Sequence, residues 1–225
     1  MMYSITGLLA ARLLRGCAFA SCAFLLTGCG EFLRSPTPKS AWLLIPEIAQ
    51  AKPMAAPKAA KFGIILAPIA ANPLLLSDEI WSLQADQTLR AQNAARWALA
   101  PDQMLQTSML AALSDSRLYS AVLNQPQQDV PAHQLSLYLL AFWVDASTPI
   151  PNAQVSWDAQ LRCFNKTLHS TRISQSLSYE LPAQMRGAMR SAFTRALQKT
   201  QQWLAEQELQ GCSPVSISVD DSRQL

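Results

Sequence analysis

The chain has 225 residues and a mass of 24.7 kDa; 50% of the residues are hydrophobic, 15% are charged, and the formal net charge is +3. That length suits one domain or two small ones. The low charge excludes a disordered solvating chain, and the weak positive balance excludes a nucleic-acid binder on bulk charge. Only 2 histidines and 7 glycines leave little for His-rich metal sites, His-based relays or Gly-rich phosphate loops, and a mean hydropathy of +0.08 excludes a polytopic membrane protein.

The first segment carries Arg12 and Arg15 with no acidic residue, then an apolar run from Cys17 to Leu26. That run is shorter than the ~18 residues of a spanning helix. A basic start, a short apolar core and a small-residue site make a secretory signal peptide over 1–28. Leu26-Thr27-Gly28-Cys29 fits the bacterial lipobox: an aliphatic residue, two small residues that let the backbone into a peptidase cleft, then the thiol that accepts diacylglycerol. The expectation is lipidation at Cys29 and cleavage between Gly28 and Cys29. A cleaved soluble secretory protein with a chance cysteine, or an uncleaved anchor, is the alternative. Each buried methylene of such a lipid contributes ~0.8 kcal/mol, and several acyl chains make anchoring stable. In enteric bacteria an Asp after the lipidated Cys retains the protein in the inner membrane. Gly30 here points to an envelope lipoprotein that faces the periplasm from the outer membrane.

Residues 29–40 read as a lipidated, extended tether with two prolines and no period. Ala41 to Pro46 reads as a short strand that opens a folded domain over 41–212, and Gln50 to Lys61, rich in Ala, Lys and Pro, as a surface loop. Lys61 to Ala67 is apolar and β-branched, a buried strand stopped by Pro68. Leu74-Leu75-Leu76 and Glu79-Ile80-Trp81 follow as strand, with weaker strand character over Thr88 to Ala91. Pro101 stands at a helix start, where its missing N–H costs nothing. Leu105, Met109, Ala112 and Leu113 then fall at helical spacing and define a helix over 101–115. Gln134 to Asp145 is apolar on both alternating sets, as in a central strand. Val155 to Cys163 alternates apolar and polar residues as a half-buried strand, with Thr171 to Tyr179 as its hairpin partner or an edge. Pro182 opens a second amphipathic helix whose stripe is Met185, Ala188, Met189, Ala192, Phe193, Ala196, Leu197, Trp203 and Leu204. Gly211 is a plausible stop, and 213–225 reads as a loose tail. The fold class is α+β (mixed α/β): a single domain with a β-sheet packed against two amphipathic helices, on an N-terminal lipidated tether.

Chemistry is sparse. With Cys29 committed to the lipid, Cys163 and Cys212 remain in the mature chain, and two thiols in an oxidising compartment commonly pair. A bridge would close a loop of about 50 residues and stabilise by ~2–4 kcal/mol; two separate thiols are the alternative. His133 and His169 have no His, Cys or Glu at ligand spacing around them, so no metal site is expected. No GxSxG elbow, GxGxxG or GxxxxGK[ST] stretch is present, so neither a hydrolase nor a nucleotide cofactor is expected. Asp78-Glu79 and Asp220-Asp221 read as solvated charge. The six tryptophans read mainly as core, or as a groove for a lipid or an apolar segment. Trp97, after Arg96, either staples the start of the first helix to the sheet or faces a partner.

Several pieces together resemble the ABC-type transport auxiliary lipoproteins, which include the paraquat-inducible protein C-type lipoproteins. They are the lipobox, the Trp42-Leu43-Leu44 strand, the Gly63-Ile-Ile-Leu-Ala-Pro68 strand leading to Pro73-Leu74-Leu75-Leu76, and Arg96-Trp97-Ala98-Leu99-Ala100-Pro101 ahead of the first helix. The resemblance covers about 41–207. It departs at Ser77-Asp78-Glu79, where the family commonly has an Asp-Arg-like turn, and in the 50–61 loop. It implies a role and no reaction: a non-enzymatic accessory lipoprotein partnered with a mammalian-cell-entry-domain protein, an ABC permease and an ATPase that move lipids across the envelope. A lipid carrier that holds an acyl chain in a groove lined by residues such as Trp81, Trp97 and Trp143 is the alternative.

Overall fold

The doubly apolar run near residue 140 becomes the axis of the fold. The computed structural model describes residues 39–46, 62–125, 132–163 and 166–207. Among these, the strands are β1 (Ser40–Trp42), β2 (Gly63–Leu66), β3 (Ala70–Ala71), β4 (Glu79–Leu83), β5 (Leu89–Trp97), β6 (Val122–Leu123), β7 (Ala132–Asp145), β8 (Asn152–Cys163) and β9 (Lys166–Ser178). Two helices follow the strands in part: α1 (Pro101–Ser116) and α2 (Met185–Ala205).

β7 is long enough to take three successive partners on one side. β2 pairs with it in parallel from Ala132 to Leu135, β3 at Tyr138 and Leu139, and β4 from Trp81↔Trp143 to Leu83↔Asp145. On its other side β7 pairs antiparallel with β8, and β8 with β9. β5 lies antiparallel beside β4, and β1 parallel beside β5. A bulge in the β7–β8 register between Leu139 and Ala141 shifts the phase, so that Leu135, Leu137 and Leu139 and then Phe142 and Val144 are buried, which explains the loss of clean alternation.

Both helices use the predicted stripes. Met104, Leu105, Met109, Ala112 and Leu113 of α1 are buried, with Pro101 in the first turn. Arg117 closes α1 in the left-handed region at φ 55°. In α2 the stripe from Met185 to Leu204 is buried except Trp203, which is half-buried, and Thr200 joins it. α2 packs on β8 and β9, and Gln201 Nε2 donates to the Ala112 carbonyl of α1 at 2.6 Å. A Cβ at Gly187 would meet nothing within 4 Å, so no packing demand offsets the ~1 kcal/mol that Gly costs there relative to Ala.

Three local expectations are corrected. Leu74-Leu75-Leu76, expected as strand, forms a 3₁₀ turn (Pro73–Leu76). Pro73 fixes φ and removes a donor, and the Asn72 side chain accepts from the Leu74 amide at 3.1 Å, so the turn satisfies its own backbone. β5 is a full nine-residue strand ending at Trp97, where only weak strand character over 88–91 was legible. The first strand is shorter than 41–46, because Leu43 to Pro46 leave the ladder after Trp42.

Candidate functional site

The described residues begin at Lys39, one residue before β1, and this corner carries the predicted pair Arg96 and Trp97. β1 lies in register with β5, Ser40 opposite Ala95 and Trp42 opposite Trp97. The Ala98 amide donates to the Trp42 carbonyl at 2.7 Å, and the Trp97 amide to the Asp78 carbonyl at 2.7 Å. Trp97 is therefore the last residue of a strand, three residues ahead of the helix cap, and its ring is only 1% exposed. It stands edge-on to Trp42 at 6.2 Å and to Phe142 of β7 at 5.3 Å. Phe142 in turn meets Phe193 of α2 at 5.6 Å, and Phe193 meets Trp157 of β8 at 6.4 Å. This line of rings ties β1, β5, β7, α2 and β8 together. Each edge-to-face pair contributes ~0.5–1.5 kcal/mol beyond its area. The ring of Trp97 is thus buried between Trp42 and Phe142 and ties the strand that leads to α1 into the core.

Arg96 points outward and pairs with Asp78 at 3.4 Å; Lys39 pairs with Glu79 at 3.0 Å. The adjacent carboxylates Asp78 and Glu79 thus serve two different cations across the β1–β5–β4 corner. Both pairs are partly exposed and worth little individually.

The groove residues divide between the two sides of the sheet: Trp81 and Trp143 are register neighbours, and Trp97 is apart from them. Trp81 alternates with buried Ile80 and Ser82, and Trp143 with buried Phe142 and Val144. Trp81 and Trp143 therefore lie on the side of the sheet opposite the core that holds Trp97. The Trp81 indole donates to the Leu74 carbonyl at 2.9 Å, closing the 3₁₀ turn over it.

The remaining candidates are dispersed. His133 is fully buried in β7 and stands edge-on to Phe62 at 5.7 Å. His169 is exposed on β9, two strands away. Among the described residues no three His, Cys, Asp or Glu side chains come together as a metal-binding group. Cys163 ends β8 and is disulfide-bonded. Its expected partner Cys212 lies outside the described residues, as do Gly28, Cys29, Asp220 and Asp221. Among the described residues no helix is long and apolar enough to cross a membrane.

The side of β8 and β9 away from α2 is polar. Arg172 of β9 faces Asp158 of β8, with Nε donating to Oδ1 at 2.7 Å and Nη2 to Oδ2 at 3.0 Å. These hydrogen bonds hold the Asp158 carboxyl below its ordinary pKa. Sequence reading missed this fork, although Asp158 and Arg172 are both polar members of alternating strands. What it lacked was the register that places them opposite each other.

The fold and this corner define a small α+β domain. The chain belongs to the family described as the ABC-type transport auxiliary lipoprotein component, which matches residues 43–207. It is similar to a crystal structure of a Xanthomonas campestris protein of family DUF330, at 20% identity and a TM-score of 0.60, covering 76% of this chain and 92% of that one. It is also similar to a crystal structure of an uncharacterized protein, at 14% identity and a TM-score of 0.58, covering 75% of this chain and 99% of that one. These two likenesses bear on the fold alone. No curated protein matches the sequence.

Proposed function

We propose that this protein is the accessory, non-catalytic lipoprotein of a mammalian-cell-entry-type ABC lipid transport system. In this reading it is anchored through Cys29, faces the periplasm from the outer membrane, and docks the mammalian-cell-entry protein that works with the permease and ATPase. The observation that carries the reading is the family match over 43–207, which runs from the end of β1 through α2. The lipobox at Leu26-Thr27-Gly28-Cys29 supports the anchor. A lipid tether confines the domain near a membrane and raises its effective concentration for a partner that spans the periplasm. The separation of Trp97 from Trp81 and Trp143 weighs against the carrier alternative, since one acyl chain cannot contact rings on both sides of a sheet.

Affinity purification of the full-length lipoprotein from its own envelope in mild detergent tests this, with mass spectrometry as the readout. A mammalian-cell-entry protein, permease and ATPase are expected with the wild type and are strongly depleted with Cys29→Ala. Recovery of the chain alone with stoichiometric phospholipid would overturn the docking role in favour of a carrier.

A further inference from the structure

We infer that Leu43 and Ile45, where the chain leaves β1, rest on the anionic phospholipid surface that carries the lipid anchor. This rests on the lipidation of Cys29 proposed above. Leu43 is 41% and Ile45 68% exposed, while Leu44 between them is 2% exposed and part of the core. Burial alternates over these three residues, so two large apolar groups stand exposed on either side of a rooted one. The segment is held in place: Arg186 Nη2 of α2 donates to the Leu43 carbonyl at 3.4 Å, and Lys39 just before it is ion-paired with Glu79 at 3.0 Å.

The length of chain ahead of this segment says what lies near it. Cys29 and Lys39 are ten residues apart, which spans at most about 35 Å even when fully extended. Charge points the same way. Residues 30–61 hold five basic and two acidic side chains, a formal +3, whereas residues 62–225 hold eleven basic and thirteen acidic, a formal −2. An anionic leaflet attracts the first stretch and repels the rest. The stretch of sequence that follows the anchor is thus basic and holds the exposed apolar pair. A lipid chain joined to a basic, apolar contact is the two-signal form of membrane attachment.

A photo-crosslinking residue at position 45 of the full-length lipoprotein, reconstituted in vesicles of about three parts zwitterionic to one part anionic phospholipid, tests the contact. The control is the same residue at Ser170, on β9 at the far side of the sheet from β1. Mass spectrometry reads both the adduct and the acyl state of Cys29. Phospholipid adducts at 45 are expected to exceed those at 170 by about tenfold, in line with burial of an apolar side chain, and to fall in wholly zwitterionic vesicles. Equal labelling at the two positions overturns the inference, as does a protein adduct at 45 from a second copy or a transporter subunit. Absence of a diacylglyceryl group on Cys29 removes the anchor reading by itself. A lipid adduct that persists at 45 in that case still upholds the surface contact, and its loss overturns it.

Discussion

The two sides of the β7–β8–β9 ladder use alternate residues of the same strands and behave differently. One side, under α2, carries Leu135, Leu137 and Leu139 of β7, Val155, Trp157 and Ala159 of β8, and Ile173 of β9, all buried. The other carries Tyr138, Asp158, Gln160, Arg172 and Ser174, half-buried or exposed. The period of two separates them so sharply that neighbours one residue apart have opposite jobs. The lesson is that stability in this ladder is concentrated under the helix, and the exposed polar positions of β8 and β9 vary at little cost.

The strongest way to break this comparison is Trp157→Ala, which removes a fully buried ring touching Phe193. It is expected to destabilise by ~3–5 kcal/mol, measured by urea unfolding, whereas Gln160→Ala on the same strand stays within ~0.5 kcal/mol. Equal costs at the two positions would refute the division. A smaller test is Thr200→Val. The Trp157 indole donates to Thr200 Oγ1 at 3.2 Å, in the core, and Thr200 donates onward to the Ala196 carbonyl at 3.0 Å. Removing the hydroxyl leaves a buried donor without an acceptor and is expected to cost ~1–3 kcal/mol.

The core also contains a buried polar group, outside this ladder. The Tyr119 hydroxyl is buried without a hydrogen-bond partner, and burial raises its pKa. Tyr119→Phe is therefore expected to raise stability by ~1 kcal/mol. Because the folded pKa lies above the unfolded value of 10.0, this phenol's contribution is whole below pH 10 and declines as pH rises above it. The Phe variant should lose that alkaline decline, which thermal melts at increasing pH would reveal. The smallest effect belongs to the open side. The Arg172 hydrogen bonds lower the Asp158 pKa below 3.8, so the pair contributes above that value and the contribution is lost as pH falls through the lowered pKa. Arg172→Ala should remove a slight acid sensitivity and leave the neutral-pH melt nearly unchanged, since the pair is exposed.

Legibility followed the range of the interactions. The helix stripes of α1 and α2, the doubly apolar β7 and the alternating β8 were readable because each records contact with one surface at a fixed local period. The 3₁₀ turn at Pro73–Leu76 was misread because three leucines suit a strand as well as a turn, and the Asn72 cap decides the matter. β5 was underestimated because its middle, from Arg90 to Ala94, is half-buried or exposed and carries little apolar signal.

By itself, the sequence determined the α+β class and the two helices, since both are written in local spacing and residue type. Only the tertiary structure decided that β2, β3 and β4 share one side of β7, and that the Trp97 ring packs on Phe142. It also decided that Trp81 and Trp143 lie away from Trp97 and that Arg172 meets Asp158. Those outcomes depend on strand order and register between segments far apart in the chain, which no local pattern encodes.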